Sequence, residues 1–346
     1  MLHLESDYNT GAHPEVIKKL AETNAEVLSG YGTDKYSEAA RAKIRAACEC
    51  PDAEIVFISG GTQTNAVAIA LSLADYEGVI AARTGHVSLH EAGAIEYTGH
   101  KVIELTGTDG KLNADTVREY CEVFYADENR SMMVFPGMVY VSYPTEYGTL
   151  YSKAELEAIA AVCRDYNMKL FLDGARLGYG LMSRKSDLTL PDIARICDLF
   201  YIGGTKLGAL CGEALVFTRN NMPPHADGSI KRRGAMMSKS RVLGVQFDAL
   251  FTNDLYFRIG KHSVELAEKM CSVFARHGYK FLLQSPTNQQ FPIIENSLLA
   301  KLREKVTVGF WEKYDDTHSV IRCATCWSTT EADIAELDRI LGEITS

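Results

Sequence analysis

Missing from this 346-residue chain is any uninterrupted apolar run approaching the roughly 20 residues that a bilayer-spanning helix needs. Its opening segment is polar and charged, with no basic stretch running into an apolar one, so no targeting signal is expected and the expected compartment is the cytoplasm. There is no dense Lys/Arg block either. With 45 acidic against 36 basic residues and a net charge of -9, neither a nucleic acid nor a membrane is an expected partner. The nine cysteines are an odd number scattered through apolar and helical patterns, which suggests reduced thiols rather than a disulfide framework. Cys323 and Cys326 form a C-x-x-C without the second pair of a structural zinc site, so they read as a buried or incidental pair, and no metal is expected. The G-x-G-x-x-G turn of a dinucleotide enzyme is absent, as are internal repeats and low-complexity segments.

What is present is ordinary for a soluble globular chain, 46% hydrophobic and 23% charged, and long enough for one large core plus a smaller domain. Short apolar runs alternate with longer helical patterns between residues 54 and 218. Strands are predicted at Glu54 to Ser59, Val79 to Ala82, Lys101 to Leu105, Met132 to Val141, Lys169 to Asp173, Leu199 to Ile202 and Glu213 to Phe217. Such alternation predicts an α/β fold, a mostly parallel seven-stranded sheet sandwiched by helices. One helix is marked by Ser152 and Glu155 as a capping box, with Leu156, Ile159, Ala160 and Cys163 at helical spacing. Beyond Pro223-Pro224 and the basic Lys231-Arg232-Arg233, a long helical pattern runs from about Ser238 to Arg276. Strands are predicted near Gln290 to Ile293, Val306 to Phe310 and Ser319 to Cys323, then a helix from about Thr330. The expected division is a large domain over residues 1–244, including the N-terminal segment, and a small C-terminal α+β domain over 245–346.

Two strand ends carry chemistry. Leu199-Phe200-Tyr201-Ile202 runs into Gly203-Gly204-Thr205-Lys206, and Lys169-Leu170-Phe171-Leu172 ends in Asp173. Open parallel sheets bind ligands beyond the carboxyl ends of their strands. A lysine and an aspartate there are what a pyridoxal phosphate enzyme needs: the amine for a Schiff base, the carboxylate to keep the pyridine nitrogen protonated. Taken alone, the pair fits an ion pair at a sheet edge as well. Gly60-Gly61-Thr62 follows the first core strand and opens an apolar helix, so its amides can cradle a phosphate, although ligand-free Gly-Gly-Thr turns are common. His86 and His90, one helical turn apart beyond another strand, can stack on a ring, hold a water or move a proton; isolated histidines are more often structural. Arg176, three residues after Asp173, and Arg322 in the last strand can each fork onto a carboxylate, or be surface arginines.

In chain order, Ser6-Asp7, Gly60-Gly61-Thr62 to Asn65, His86 with Glu91-Ala92-Gly93, Glu146-Tyr147-Gly148-Thr149, Leu172-Asp173-Gly174-Ala175-Arg176-Leu177, Gly204-Thr205-Lys206-Leu207-Gly208 and Ile321-Arg322 span nearly the whole chain. Together they resemble the threonine aldolase family, in the beta-eliminating lyase group of pyridoxal phosphate enzymes with the aspartate-aminotransferase-like fold type I. The resemblance implies that Lys206 forms the Schiff base and Asp173 pairs with the pyridine nitrogen. It implies that Gly60, Gly61 and Thr62 bind the phosphate, that His86 stacks on the ring, and that Thr205 and Arg176 adjoin the cofactor. Arg322, Arg176 and Ser6 would hold the substrate carboxylate. Arg233 would reach a neighbouring subunit's phosphate in a homotetramer, a dimer of dimers. The implied reaction cleaves L-threonine or L-allo-threonine to glycine and an aldehyde. The alternative is another lyase of this cofactor acting by β-elimination, or an aminotransferase. The family's second histidine has no counterpart in Val141-Ser142-Tyr143-Pro144-Thr145, which leaves His90, or a water held by His86, as base for the β-hydroxyl.

Overall fold

The computed structural model describes residues 1–345. A short strand β1 (Leu2–His3) precedes the large sheet. That sheet consists of β2 (Glu54–Ile58), β3 (Glu77–Ala82), β4 (Val102–Leu105), β5 (Phe135–Ser142), β6 (Lys169–Asp173), β7 (Leu199–Gly203) and β8 (Glu213–Phe217). Their spatial order is β2-β8-β7-β6-β5-β3-β4. All pairings are parallel except those of β8, which runs antiparallel to both neighbours. The seven apolar runs therefore all became strands of one mostly parallel sheet. Their ends shift: β5 begins at Phe135 rather than Met132, because Arg130–Met132 winds into a 3-10 turn.

The central strands are apolar on both faces because helices cover both. Side chains alternate along each strand, so Leu170, Leu172, Phe200, Ile202, Ala214 and Val216 enter one apolar cluster. Phe171, Leu199, Tyr201, Leu215, Phe217 and Tyr140 enter the other. Helix Lys153–Asp165 covers the first face, and its capping box forms as expected: the Ser152 hydroxyl accepts from the Glu155 N–H at 3.2 Å, and the Glu155 carboxylate from the Ser152 N–H at 2.7 Å. Helix Gly61–Ser72 covers the second, burying Val67, Ala68 and Ile69.

The single helical pattern expected from Ser238 to Arg276 is two helices, Arg241–Leu250 and Leu255–Arg276. Between them Asn253 (φ 51°) and Asp254 (φ 55°) are both left-handed, which breaks the helix, and Asn and Asp are among the few non-glycine residues that adopt that region readily. The chain then adds β9 (Gln289–Gln290), β10 (Ile293–Glu295), β11 (Val306–Thr307), β12 (Gly309–Lys313) and β13 (His318–Ala324), and ends in helix Glu331–Thr345. Strands β10, β13 and β12 form an antiparallel sheet, and β9 pairs with the end of β13. The run Val306 to Phe310 thus divides between β11 and β12. Strand β1 pairs in parallel with β11, and Leu4 joins the C-terminal apolar cluster around Leu266, Phe274, Ile321 and Leu337. Asp7, which follows, is buried, and Tyr8 beside it is exposed. Among the described residues, no helix is long and apolar enough to cross a membrane.

Candidate active site

Alternation along the strands builds the floor of the site. Register pairs Ser142 with Asp173 and Tyr140 with Phe171, so Tyr140, Asp173 and Tyr201 share one face at the carboxyl ends of β5, β6 and β7. The Tyr140 hydroxyl donates to Asp173 Oδ2 at 2.5 Å, the Ala175 N–H donates to Oδ1 at 2.9 Å, and Asn65 Nδ2 reaches Oδ2 at 3.0 Å from the covering helix. Burial pushes this carboxyl up. The charge of His86 and the hydrogen bonds from Tyr140, Tyr201 and Ala175 outweigh it and hold Asp173 below its usual value. A buried, ionised carboxylate results.

Lys206 stands on the turn after β7. The Gly204 and Thr205 N–H groups donate to the Gly212 carbonyl, and a Cβ on Gly204 would meet that oxygen at 2.6 Å, so the turn requires glycine. The Gly204 N–H and the Thr205 hydroxyl both donate to Glu213, at 2.9 and 2.7 Å. Burial pushes the Lys206 amine down, and the charge of Arg176 adds to that, against the opposing charges of Asp7, Asp173 and Glu213. Burial also raises the Glu213 carboxyl to about 7. Glu213 had no place in the sequence reading. The signal for it was a lone acid opening the otherwise apolar Glu213-Ala214-Leu215-Val216-Phe217, which antiparallel pairing brings opposite Gly203.

Helix Gly61–Ser72 begins without a side-chain cap at Gly60. Among the described residues, the N–H groups of Gly61, Thr62 and Gln63 have no acceptor, while the Thr64 N–H and hydroxyl both donate to the Gly60 carbonyl at 2.9 Å. A Cβ at Gly60 would meet nothing within 4 Å. The helix therefore presents three free donors and its positive end to open space.

Two cavities meet here. An inner one of about 370 Å³ is lined by Gly60, Gly61, Thr62, Asp173, Thr205 and Glu213 among others; an outer one of about 500 Å³ has Tyr147, Phe310, Trp311 and Arg322 on its wall. Tyr8, His86, His90, Glu146, Arg176 and Lys206 line both and so mark their junction. His86 Nδ1 is 2.7 Å from Glu91 Oε1, which also accepts from Asn65 Nδ2 at 2.7 Å. Burial draws the His86 imidazole down, but the Glu91 hydrogen bond and the charge of Asp173 more than restore it, so it holds its proton above its ordinary range. The His90 ring lies 5.7 Å from that of His86 and is more exposed; burial and the charge of His86 lower its pKa.

Arg176 is not a free fork. Its Nε and Nη2 bind Asp7 at 2.7 and 2.9 Å, and among the described residues Nη1 has no acceptor. Burial opposes the charge on Asp7, yet Arg176 and Lys206 draw its carboxyl from 3.8 down to about 2. Such a depressed acid stabilises the fold fully above its unfolded value near 4, and that contribution is lost as pH falls through about 2. Removing one partner of a buried pair strands the other, so Asp7→Asn is expected to lower stability at pH 7 by about 3 kcal/mol, read from urea midpoints. The variant should also lose less stability than the parent between pH 4 and pH 2. Arg322 donates from Nη2 to the Glu5 carbonyl at 3.1 Å and lies over Trp311, 5.8 Å from its ring centroid, while its buried Nε has no partner. Of the sequence candidates, Ser6 and Arg233 line neither cavity. The Ser6 hydroxyl accepts from the Tyr8 N–H at 3.4 Å, and Tyr8 is the residue that reaches the cleft. The Arg233 carbonyl accepts from Gln63, at the mouth of the helix.

Residues 3–298 match the beta-eliminating lyase family. A low specificity L-threonine aldolase of a Pseudomonas species is 29% identical over 343 residues, covering 96% of this chain and 94% of that protein. The solved structure of a Leishmania major threonine aldolase is 40% identical, covers the whole of both chains and superposes with a TM-score of 0.96. A Thermus thermophilus aspartate aminotransferase double mutant, 14% identical, shares the fold at a TM-score of 0.71 over 99% of this chain and 91% of its own. The aminotransferase-like fold, the match along most of the sequence and the end-to-end superposition lead to one conclusion: this chain belongs to the beta-eliminating lyase family, in its threonine aldolase group.

Proposed function

We propose that this protein is a pyridoxal 5'-phosphate enzyme that cleaves L-threonine, L-allo-threonine and related β-hydroxy-α-amino acids to glycine and an aldehyde. One observation carries the reading: a single cavity joins a desolvated amine, Lys206, to a buried carboxylate, Asp173, and to an uncapped helix N-terminus. Those three features match the aldehyde, the ring nitrogen and the phosphate of that cofactor. When bound, the cofactor supplies an aldehyde for the lysine and a ring that takes up the electron pair released at Cα.

The chain's own residues do the rest. Lys206, whose charge burial disfavours, is the amine that would hold the aldehyde. Asp173 keeps a proton on the ring nitrogen, and its oxygens are already oriented by Tyr140, Asn65 and Ala175. The free N–H groups of Gly61, Thr62 and Gln63 hold the phosphate, with the Thr62 hydroxyl and the Thr205 turn beside them. His86, fixed by Glu91, would pack on the ring, and His90 or a water on His86 would lie towards the substrate hydroxyl. Arg322, on the wall of the outer cavity, and Arg176 through its Nη1 would hold the substrate carboxylate. Ser6 lies behind Tyr8 as a support for this end of the cleft.

The reading extends to the assembly. We divide the chain into a large cofactor domain over 1–244 and a small domain over 245–346, and place the protein in the cytoplasm as a dimer of dimers. All nine cysteines are free, as a reducing compartment requires. Arg233 sits outside its own cleft, where a second copy can receive it.

The test is direct. Purified protein should be yellow, lose that colour on borohydride treatment, and release glycine and acetaldehyde from at least one threonine isomer. Pyruvate and ammonia instead would establish β-elimination, keto-acid dependence would establish transamination, and colour without cleavage of any isomer would refute the aldolase reading.

A further inference from the structure

Retro-aldol cleavage needs a group to accept the proton of the β-hydroxyl, and the junction of the two cavities is where that hydroxyl must sit. Substrate is tethered through its amine on the Lys206 side and held by its carboxylate at Arg322, so its reacting carbons lie between them. Of the residues lining both cavities, Glu146 is the one carboxylate. It follows β5 directly and is held at one oxygen: Oε1 accepts from the His86 N–H at 3.0 Å and from the Ser142 hydroxyl at 2.7 Å. The carboxylate also accepts from its own backbone N–H; among the described residues no other residue donates to Oε2, and no cation forms an ion pair with the carboxylate. The Glu146 side chain is thus oriented through Oε1 at the junction of the two cavities, with Oε2 bonded to no other residue among those described.

We infer that Glu146 Oε2 is the acceptor of the β-hydroxyl proton, an assignment that rests on the aldolase reading. The O–H bond breaks to Oε2, and its electron pair becomes the second C–O bond of the aldehyde. The Cα–Cβ bond breaks, and its pair remains with Cα. Nothing is oxidised or reduced, and the proton gained by Glu146 balances the one that Cα takes up to give glycine. The competing groups are less suited. His86 Nδ1 is tied to Glu91, in a hydrogen bond that helps to raise the imidazole above its ordinary value. His90 is exposed, and the charge of His86 beside it weakens it as a base. Burial makes Glu146 more basic than an ordinary carboxylate, as does the charge of Asp173, against the hydrogen bonds from Ser142 and from its own N–H and the charge of His86; Arg176, Tyr140, Tyr147 and Tyr151 are the other titratable groups within its field.

Glu146→Gln in the holoenzyme separates this role from a structural one, because the amide keeps an acceptor for His86 and Ser142 but cannot take a proton. Exchange of the glycine α-proton with deuterium oxide, followed by NMR, needs Lys206 and the cofactor but no β-hydroxyl. Cleavage of threonine or allo-threonine should fall by about 10²- to 10⁴-fold in kcat with little change in KM, while glycine exchange proceeds near the wild-type rate. Glu146→Asp should recover part of the cleavage. In the cofactor-free protein, carbon-13 NMR of labelled glutamate should show a carboxyl titrating above the ordinary range besides that of Glu213, and E146Q should lack that one while keeping the Glu213 signal. Undiminished cleavage by E146Q, or parallel loss of cleavage and exchange, would overturn the assignment. Wild-type protein that exchanges glycine yet cleaves neither isomer would instead bring down the aldolase reading, and this assignment with it.

Discussion

Lys206→Ala is expected to abolish the borohydride-trapped adduct and to lower threonine cleavage by on the order of 10⁴-fold or more, since it removes the one nucleophile on which the other groups act as a unit. The fold should survive. Lys206 is a cation held where burial already disfavours its charge, and the turn that carries it is held by Gly204, Thr205, Gly212 and Glu213 through contacts that do not involve the amine. Asp7 keeps its two bonds to Arg176. The alanine variant should therefore melt within a few degrees of the parent, a comparison made by circular dichroism before any assay. Noncovalent binding of the cofactor at the uncapped helix can leave residual colour, so the decisive measurement is the mass of the borohydride-treated protein. An alanine variant that carries the reduced adduct, or one that cleaves threonine at the parental rate, would remove Lys206 from the centre of the site.

Much of this site can be read from strand ends before any coordinates, and the reason is local. Lys206 and Asp173 each close an apolar run, and a run that is apolar on both faces predicts a central strand whose carboxyl end opens on a ligand site. Gly60-Gly61-Thr62 reads as an uncapped helix start for the same reason: strand, turn and helix are contiguous. What stayed hidden depends on contacts distant in sequence. Nothing near Arg176 announces that Asp7, at the far end of the chain, occupies two of its nitrogens, because β1 must first pair with β11 to deliver that acid. Glu213 becomes a neighbour of Lys206 only through the antiparallel turn between β7 and β8. Glu146 stood in the family resemblance without a role, since its role follows from the position of Ser142 in the register of β5 against β6. The divided helix at Asn253 and Asp254 shows the converse failure: hydrophobic periodicity continues across a break that only backbone angles reveal.

Asp173→Asn is the second change of large expected effect, and it acts by charge with almost no change of shape. The carboxylate is surrounded by donors: the Tyr140 hydroxyl, the Asn65 amide, the Ala175 N–H and Tyr201. An amide in its place points an NH2 group at one of them, so a buried acceptor becomes a donor facing a donor. On the proposed role of Asp173, the ring nitrogen of the cofactor would lose the ion that keeps it protonated, and the ring would draw electrons from Cα less strongly. Cleavage should fall by roughly 10²- to 10⁴-fold, the range lost with a positioned proton-holding group. A second consequence needs no cofactor. The Asp173 charge supports the His86 proton, with the Glu91 hydrogen bond as the larger support. In the cofactor-free Asn variant the His86 imidazole should therefore titrate at lower pH than in the parent, while staying bonded to Glu91, and histidine NMR reads that shift directly. An unchanged His86 titration would mean that Asp173 and His86 do not share one field; unchanged cleavage would mean that the carboxylate does not serve the ring. The two measurements address separate links, so the cofactor role of Asp173 can fail while its electrostatic hold on His86 stands.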